Sequence, residues 1–221
     1  TLTKKQRHKL RVQQVRRQKI FLTCLFLLIV GCILLRFSKF SGRQEEAHQI
    51  NAACEAYRDE VSSEAAQYDM SDYVDLILAV MMQESSGQGT DPMQSSEGAY
   101  NTRYPQQPNG ITDPSYSISC GIQELKYALE KAVCTGPTDL AKIRLALQAY
   151  NFGADSYFAY LEENGQTVWT AQSAQAFAQM ASGGTQRDED DPLHDPAGPW
   201  DYGDQYYPDH VLRYYHLDNN S

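Results

Sequence analysis

The sequence predicts a mainly α-helical domain behind one N-terminal transmembrane helix. Three observations support this prediction. An uncharged apolar run lies near the N-terminus, several later segments place apolar residues every three or four positions, and no segment shows the alternation typical of a strand. The chain after the apolar run has about the size of one domain.

The N-terminal region consists of a basic arm followed by the apolar run. Residues 1–43 contain eleven Lys or Arg and no acid, and the run itself has sixteen uncharged positions. A basic flank favours the cytoplasmic side of a membrane, and apolar runs of this kind cross it when flanking Lys or Arg reach the interface. We therefore expect a cytoplasmic arm over 1–19, a signal-anchor over 20–36 and a stalk over 37–54, with the remaining chain outside the cell.

Two other interpretations of the apolar run stay open. The run could be a cleaved signal peptide, although no A-x-A-like cleavage site follows it. It could also contain a lipobox ending at Cys32, although the residues after Cys32 are still apolar.

Charge and composition exclude several classes of function. Residues 44–221 hold eight Lys or Arg and all 28 acids, which gives a net charge of −20. Such an acidic domain does not bind nucleic acid through a basic face. The His and Cys residues form no ligand pattern, so neither a metal nor another cofactor is predicted. The part of the chain after the apolar run has three cysteines, Cys54, Cys120 and Cys134. This odd number allows one disulfide at most.

The helices follow from periodicity and from stop signals. An amphipathic helix over 44–68 comes first, and an almost wholly apolar helix over 73–84 follows, with Ser71 as its N-cap. A loop without periodicity occupies 85–115, which is long enough to suggest a function. The later helices are expected over 118–133, 138–150, 170–181 and 209–215, with a short turn over 157–161.

Glu84 is the most informative residue of the chain. It closes the apolar run of the second helix, with Gly87 as the expected stop signal, and therefore lies in the last helical turn. Burial and the negative end of the helix dipole both disfavour the ionised carboxylate, so its pKa should rise. A carboxylic acid that stays protonated near neutral pH is what general-acid cleavage of a glycosidic bond requires.

Other polar residues complete the pattern of a glycosidase. Gln123 and Asn151 offer amide groups for sugar hydrogen bonds, and Tyr150 offers a stacking face with a hydroxyl. Asp91, in the long loop, is the candidate second carboxylate, and Asp113 is the reserve.

Three blocks in this order resemble the goose-type lysozymes and soluble lytic transglycosylases. They are Glu84-Ser85-Ser86-Gly87, Gly121-Ile122-Gln123 and Ala149-Tyr150-Asn151-Phe152-Gly153, which are similar to the Glu-Ser, Gly-Leu-Met-Gln and Ala-Tyr-Asn blocks of those enzymes. Ile122 stands where the second block has Met. Residues 82–87 and 91–97 resemble, more narrowly, the lysozyme-like domain of CwlT-type cell-wall hydrolases from conjugative elements of Gram-positive bacteria. The resemblance covers a domain over 55–217.

The resemblance implies a helical lysozyme-like fold and a peptidoglycan muramidase. Glu84 would be the general acid, Gln123, Tyr150 and Asn151 would line the sugar subsites, and Ser85 would contact substrate or support Glu84. The partners implied are glycan strands, the cell membrane and possible components of a conjugation or type IV secretion apparatus. Proteins of this subfamily often continue into an NlpC-type cysteine peptidase domain, and 218–221 resembles the start of a linker.

The sequence leaves open both the reaction that would be catalysed and the class of function. A lytic transglycosylase needs Glu84 alone and yields 1,6-anhydro sugars, whereas hydrolysis also needs an activated water and hence Asp91 or Asp113. A glycan-binding scaffold of a secretion apparatus would bind without cleaving. A membrane-anchored adhesin would have no cleft.

Overall fold

A computed structural model describes residues 48–191 and 194–216 of the chain. The predicted arm, signal-anchor and C-terminal tail lie outside these ranges, as does most of the stalk. None of the helices that are described has the length and apolar character needed to cross a bilayer.

Helices account for the regular structure of the described ranges, and the predicted helical class is confirmed there. They are α1 (Ala52–Glu55), α2 (Arg58–Gln67), α3 (Val74–Ser85), α4 (Pro114–Lys131), α5 (Leu140–Phe152), α6 (Ala154–Glu163), α7 (Ala171–Ala181) and α8 (Tyr207–Leu212). A 3₁₀ turn, Ser71–Tyr73, precedes α3. In the same ranges the extended pairing amounts to one isolated antiparallel bridge between Gln186 and Trp200.

Helix α3 is the centre of the core, as its apolar run predicts. Six consecutive residues, Leu76 to Met81, are fully buried, so this helix has almost no solvent-facing side. It packs against α1, α2 and α8, while α4 and α5 pack against each other and α5 also contacts α6 and α8. Burial on all sides fixes the direction in which the C-terminal end of α3 points.

The observed helix boundaries differ from the prediction where local hydrogen bonds outweigh periodicity. The predicted first helix is broken between α1 and α2, and the Asn51 side chain caps α1 by accepting the Cys54 N–H. Helix α4 begins four residues early because Asp113 caps it and Pro114 occupies its first turn. Helix α5 begins two residues later than predicted, because the Asp139 side chain caps it by accepting the Lys142 N–H.

The short turn predicted at 157–161 is the middle of a complete helix, α6. Gly153 separates α5 from α6 with a φ of 84°, and Phe152, Tyr157 and Phe177 then form an aromatic cluster with ring centroids 5.1–5.4 Å apart. This cluster is formed through tertiary packing, which periodicity over five residues does not reveal.

Candidate active site

Glu84 lies in the last turn of α3, immediately before the helix ends. Ser86 follows in the left-handed conformation with a φ of 55°, and Gly87 continues it with a φ of 73°. A side chain at Gly87 would meet the backbone of α1, since an added Cβ would lie 2.8 Å from Cys54 N. Asn51 secures the same junction, because its Nδ2 donates to Ser86 O at 3.0 Å. The end of the helix that carries Glu84 is thus held from two sides.

The carboxyl group of Glu84 lies where two cavities of similar size meet and form one cleft. The first has a volume of about 610 Å³ and the second about 590 Å³. The residues that line both cavities are Glu84, Gln94, Asn151 and Gly203. A glycan strand lying along this cleft would pass Glu84 near its midpoint.

The two halves of the cleft differ in charge. Arg187, Arg213 and His210 line the first half together with the acids Asp195 and Asp204. We call it the basic half because the Arg side chains of the cleft lie there. Among the described residues lining the second half there is no Lys, Arg or His, and the acids there besides Glu84 are Glu97, Glu124 and Asp155. We call this second half the acidic half.

Protein atoms surround the Glu84 carboxyl group even though the side chain is partly exposed to the cleft. Desolvation raises its pKa to about 7, and the hydrogen bond that the Tyr207 hydroxyl donates to Oε1 opposes this rise. The negative charges of Asp204, Asp91 and Glu124 raise the pKa further. The group is therefore substantially protonated at neutral pH, as a general acid must be.

Tyr150 and Asn151 come from the end of α5 and lie beside Glu84. The Tyr150 hydroxyl donates to Met93 O at 2.9 Å, and its ring stacks on that of Tyr207 with centroids 6.3 Å apart. Burial, with the nearby charge of Glu84, raises the pKa of Tyr150 well above its usual value, so its hydroxyl stays a donor. The Asn151 Oδ1 accepts the Asp204 N–H at 2.7 Å. This hydrogen bond does not involve the Asn151 Nδ2.

The side chains of Asp204 and His210 are joined by a hydrogen bond at the basic half of the cleft. His210 Nδ1 lies 2.5 Å from Asp204 Oδ2, and this hydrogen bond raises the pKa of His210 above its usual value. Asp204 Oδ1 accepts the Tyr206 N–H at 2.9 Å. Asp204 thereby holds the start of α8, the helix that carries Tyr207.

Asp91 is buried within the long loop and, among the cavities described, lines neither half of the cleft. It is 1% exposed, and its carboxylate accepts the N–H groups of Ser95 and Ser96 and the hydroxyls of Ser96 and Ser117. The Ser117 bond ties the loop to α4. These contacts make Asp91 the anchor of the loop, whereas the sequence suggested a water-activating base.

Ser85 also supports the loop. Its hydroxyl donates to Pro92 O at 2.8 Å and accepts the Gly87 N–H at 3.1 Å. The sequence predicted that Ser85 contacts substrate or supports Glu84, whereas these hydrogen bonds join the end of α3 to the loop.

Gln123 and Asp113 lie away from Glu84, in a separate shallow depression beside Tyr68 and Ser119. The Gln123 amide donates to Ser119 O at 3.1 Å within α4. The residue that reaches the cleft is Gln94, which lines both halves. Met93-Gln94 carries the Met-Gln pair that Ile122-Gln123 lacks, and this pair was the signal in the sequence that could have identified it.

Sequence reasoning also missed Tyr207 and Glu124. Tyr207 is 2% exposed and contacts Glu84 from 123 residues away, a pairing that only the tertiary fold creates. Glu124 lies one turn along α4 from Gly121 and lines the acidic half. The signal for it was weak, since a single Glu on an amphipathic helix reads as a solvated residue.

The described ranges hold neither a cluster of metal ligands nor a disulfide. No group of three or more His, Cys, Asp or Glu is arranged there to hold a metal ion. Cys54, Cys120 and Cys134 are all free thiols, and the first two are buried.

Fold and cleft together define a lysozyme-like protein, with a carboxylic acid at the end of a buried helix facing a long groove. The family model described as lysozyme-like matches residues 52–215, so the chain belongs to this family. The resemblance drawn from the sequence blocks is thereby confirmed.

Two curated relatives and one solved structure show which lysozyme-like proteins this chain is similar to. The bifunctional muramidase/DL-endopeptidase CwlT of Bacillus subtilis is 35% identical over 78% of this chain and 43% of its own length. Pneumococcal vaccine antigen A of Streptococcus pneumoniae is 32% identical over 64% of this chain and 65% of its own. A crystal structure of a protein similar to lipoprotein, NLP/P60 family, from Staphylococcus aureus superposes with a TM-score of 0.64 at 28% identity, covering 78% of this chain and 56% of that one. The chain thus spans about half the length of most of the relatives it matches.

Proposed function

We propose that this domain is a peptidoglycan glycosidase in which Glu84 is the general acid. The observation that carries the proposal is the position of Glu84. Its protonated carboxyl group lies at the midpoint of a long cleft, with a pKa near 7 and a fixed hydrogen bond from Tyr207. A pure binding protein gains nothing from desolvating a carboxyl group at this point.

The proposed reaction cleaves the β-1,4 bond between N-acetylmuramic acid and N-acetylglucosamine. Glu84 gives its proton to the glycosidic oxygen as the bond from that oxygen to the anomeric carbon breaks. Tyr207 holds the acceptor oxygen Oε1 and so directs the protonated oxygen at the substrate. Asn151 and Gln94 both line the cleft beside Glu84. Gln94 Nε2 donates to Asp91 O and Asn109 Oδ1, so Gln94 offers its Oε1 to the sugars, whereas Asn151 offers its Nδ2.

The similarity to CwlT supports the choice of substrate. That protein is named as a bifunctional muramidase/DL-endopeptidase, and this chain matches 43% of it. A helical lysozyme-like domain with a buried, protonated acid in a groove fits the first of the two named activities. Asp91 and Ser85 are proposed to act by positioning, because both hold the loop that carries Met93 and Gln94.

The cellular setting is proposed from the N-terminal sequence and from the resemblance to CwlT-type hydrolases. A basic arm and an apolar segment would anchor the chain in the membrane with the domain outside, where it would thin the wall locally during conjugative transfer. Protease added to intact cells should then remove the domain and spare the arm. A domain that stays protected until the cells are lysed would contradict this location.

The test of the proposed activity is the Glu84→Gln variant of the full chain, purified in detergent. Wild type should release soluble muropeptides from Gram-positive peptidoglycan, and the variant should release about 10²–10⁴-fold less while still sedimenting with the wall. Equal lysis by both would disprove the acid role. If wild type binds the wall but releases nothing, the domain is a glycan-binding scaffold.

A further inference from the structure

Glu124 is a carboxyl group in the cleft that the acid step does not use. It projects from α4 into the acidic half, the cavity that Glu84 and Tyr150 also line. The backbone N–H groups of Ala99 and Tyr100 donate to it and so fix its orientation. Gly98 makes this position possible, because a Cβ there would overlap the Glu124 carboxylate.

The other carboxylates near Glu84 are engaged or remote. Asp155 is paired with Lys131 at 2.7 Å and with the Tyr127 hydroxyl at 2.5 Å, and Asp204 is held by His210. The oxygens of Asp91 are occupied by hydrogen bonds beneath the loop. Glu97 is exposed, and Asp195, in the basic half, accepts the Ala197 N–H.

Glu124 therefore combines three properties that a base in a glycosidase needs. It faces the cavity, its orientation is fixed by two backbone donors, and burial raises its pKa to about 7, close to an ordinary working pH. Its charge also raises the pKa of Glu84 and of Tyr150, which line the same cavity.

We propose that Glu124 is the second carboxylate of the reaction and activates the attacking water in the acidic half of the cleft. This inference rests on the proposed glycosidase function and identifies the reaction as hydrolysis. The water oxygen forms a bond to the anomeric carbon while its proton passes to Glu124. The bond from that carbon to the glycosidic oxygen breaks, and the Glu84 proton goes to that oxygen. The products are two glycan pieces, one of which ends in reducing N-acetylmuramic acid.

The experiment replaces the base and supplies a nucleophile that needs none. Azide attacks an anomeric carbon without losing a proton, so it can take the place of the activated water. In the full chain, Glu124→Ala should lower the release of muropeptides by about 10²–10⁴-fold. Azide should restore a large part of this release, and mass spectrometry should find 1-azido-muramic ends. Wild type should give reducing ends with or without azide.

Two variants serve as matched controls. Glu130→Ala changes an exposed Glu of the same helix outside the cleft, and we expect it to keep wild-type activity. Asp91→Asn should lower activity by loosening the loop, and azide should not restore it. Azide adducts from Asp91→Asn and none from Glu124→Ala would overturn the proposal in favour of Asp91.

Further outcomes decide the proposal. Near-wild-type hydrolysis by Glu124→Ala, or a folded but inactive variant that gains no azide adduct, would overturn it. If the Ala variant does not fold, Glu124→Gln keeps the volume of the side chain. Loss of hydrolysis by that variant with retained wall binding would support the proposal, and retained hydrolysis would overturn it.

The proposed function and this inference fail in different ways. An inactive wild type, or an active Glu84→Gln variant, removes the glycosidase function itself. An active wild type that depends on Glu84 but releases only 1,6-anhydro products leaves that function in place and removes the role of Glu124.

Discussion

Glu84 is the residue whose ionisation connects the fold to the proposed chemistry. Its pKa of about 7 results from desolvation, which outweighs the opposing hydrogen bond from Tyr207. The negative charges of Asp204, Asp91 and Glu124 each make the ionisation of Glu84 less favourable.

Activity should fall as pH rises through about 7, because only protonated Glu84 can donate its proton. Above that value the rate of muropeptide release should drop about tenfold per pH unit. The measurement is a pH profile of initial rates at constant ionic strength. A rate that stays constant from pH 6 to pH 9 would contradict the general-acid role.

The stability of the fold should also depend on the ionisation of Glu84, and it should fall as the pH rises. The folded pKa of Glu84 lies above its ordinary value of 4.5, so ionising it disfavours the folded state, and stability is lost as pH rises from about 4.5 through about 7. Glu84→Gln should therefore raise the melting temperature at pH 8 more than at pH 5, by about 2–4 °C for each kcal/mol relieved. An equal change at both pH values would contradict the assigned pKa.

Tyr207→Phe should shift the alkaline limb of the pH profile upward. In the wild type, the hydrogen bond from Tyr207 lowers the pKa of Glu84, so the substitution that removes this bond lets the pKa rise further. The maximal rate should also fall, since the acid is no longer held in one orientation. Tyr215→Phe removes a hydroxyl that bonds Pro137 O, away from the cleft, and should leave the profile unchanged. A downward shift for Tyr207→Phe would contradict the account.

At the scale of elements, the wall of the cleft depends on how closely α4 approaches the long loop. A Cβ added at Gly121 would lie 2.6 Å from Met93 Cβ, so the close contact requires glycine. Met93 O in turn accepts from Tyr150, and Gln94 follows directly. The loop, α4 and α5 are thus joined at one point beside Glu84.

Gly121→Ala should lower both stability and activity. Overpacking at this contact should cost about 1–3 kcal/mol and displace Gln94 and the Tyr150 contact. Gly136→Ala is the matched control, because nothing lies within 4 Å of the Cβ it would add. Thermal unfolding and lysis rates measured together test the expectation. Unchanged stability of Gly121→Ala would show that the loop does not rest on α4 as described.

The elements also show what the sequence could and could not predict. The buried helix α3 and the position of Glu84 could be predicted from a run of apolar residues, because this pattern lies within one segment of the sequence. The boundaries of α4 and the whole of α6 depended on capping and on aromatic packing. Tyr207 could not be found, because its contact with Glu84 is made across the fold. Gln123 was predicted because its block matched, whereas Met93-Gln94 reaches the cleft.

At the scale of the whole molecule, the described domain is held by its core without disulfides. Cys54, Cys120 and Cys134 are free, and burial raises the pKa of Cys54 to about 11, which keeps its thiol protonated and unreactive. The melting temperature of the full chain should therefore be the same with and without a reducing agent. A clear fall under reducing conditions would show a disulfide in the folded protein.

The central claim is that Glu84 cleaves glycan strands at the midpoint of a cleft whose two halves differ in charge. The most direct test is mass spectrometry of the muropeptides that the full chain releases from Gram-positive peptidoglycan, with Glu84→Gln beside it. The account predicts products with reducing N-acetylmuramic ends from wild type and almost none from the variant. Release that does not depend on Glu84, or no release by wild type, would contradict it.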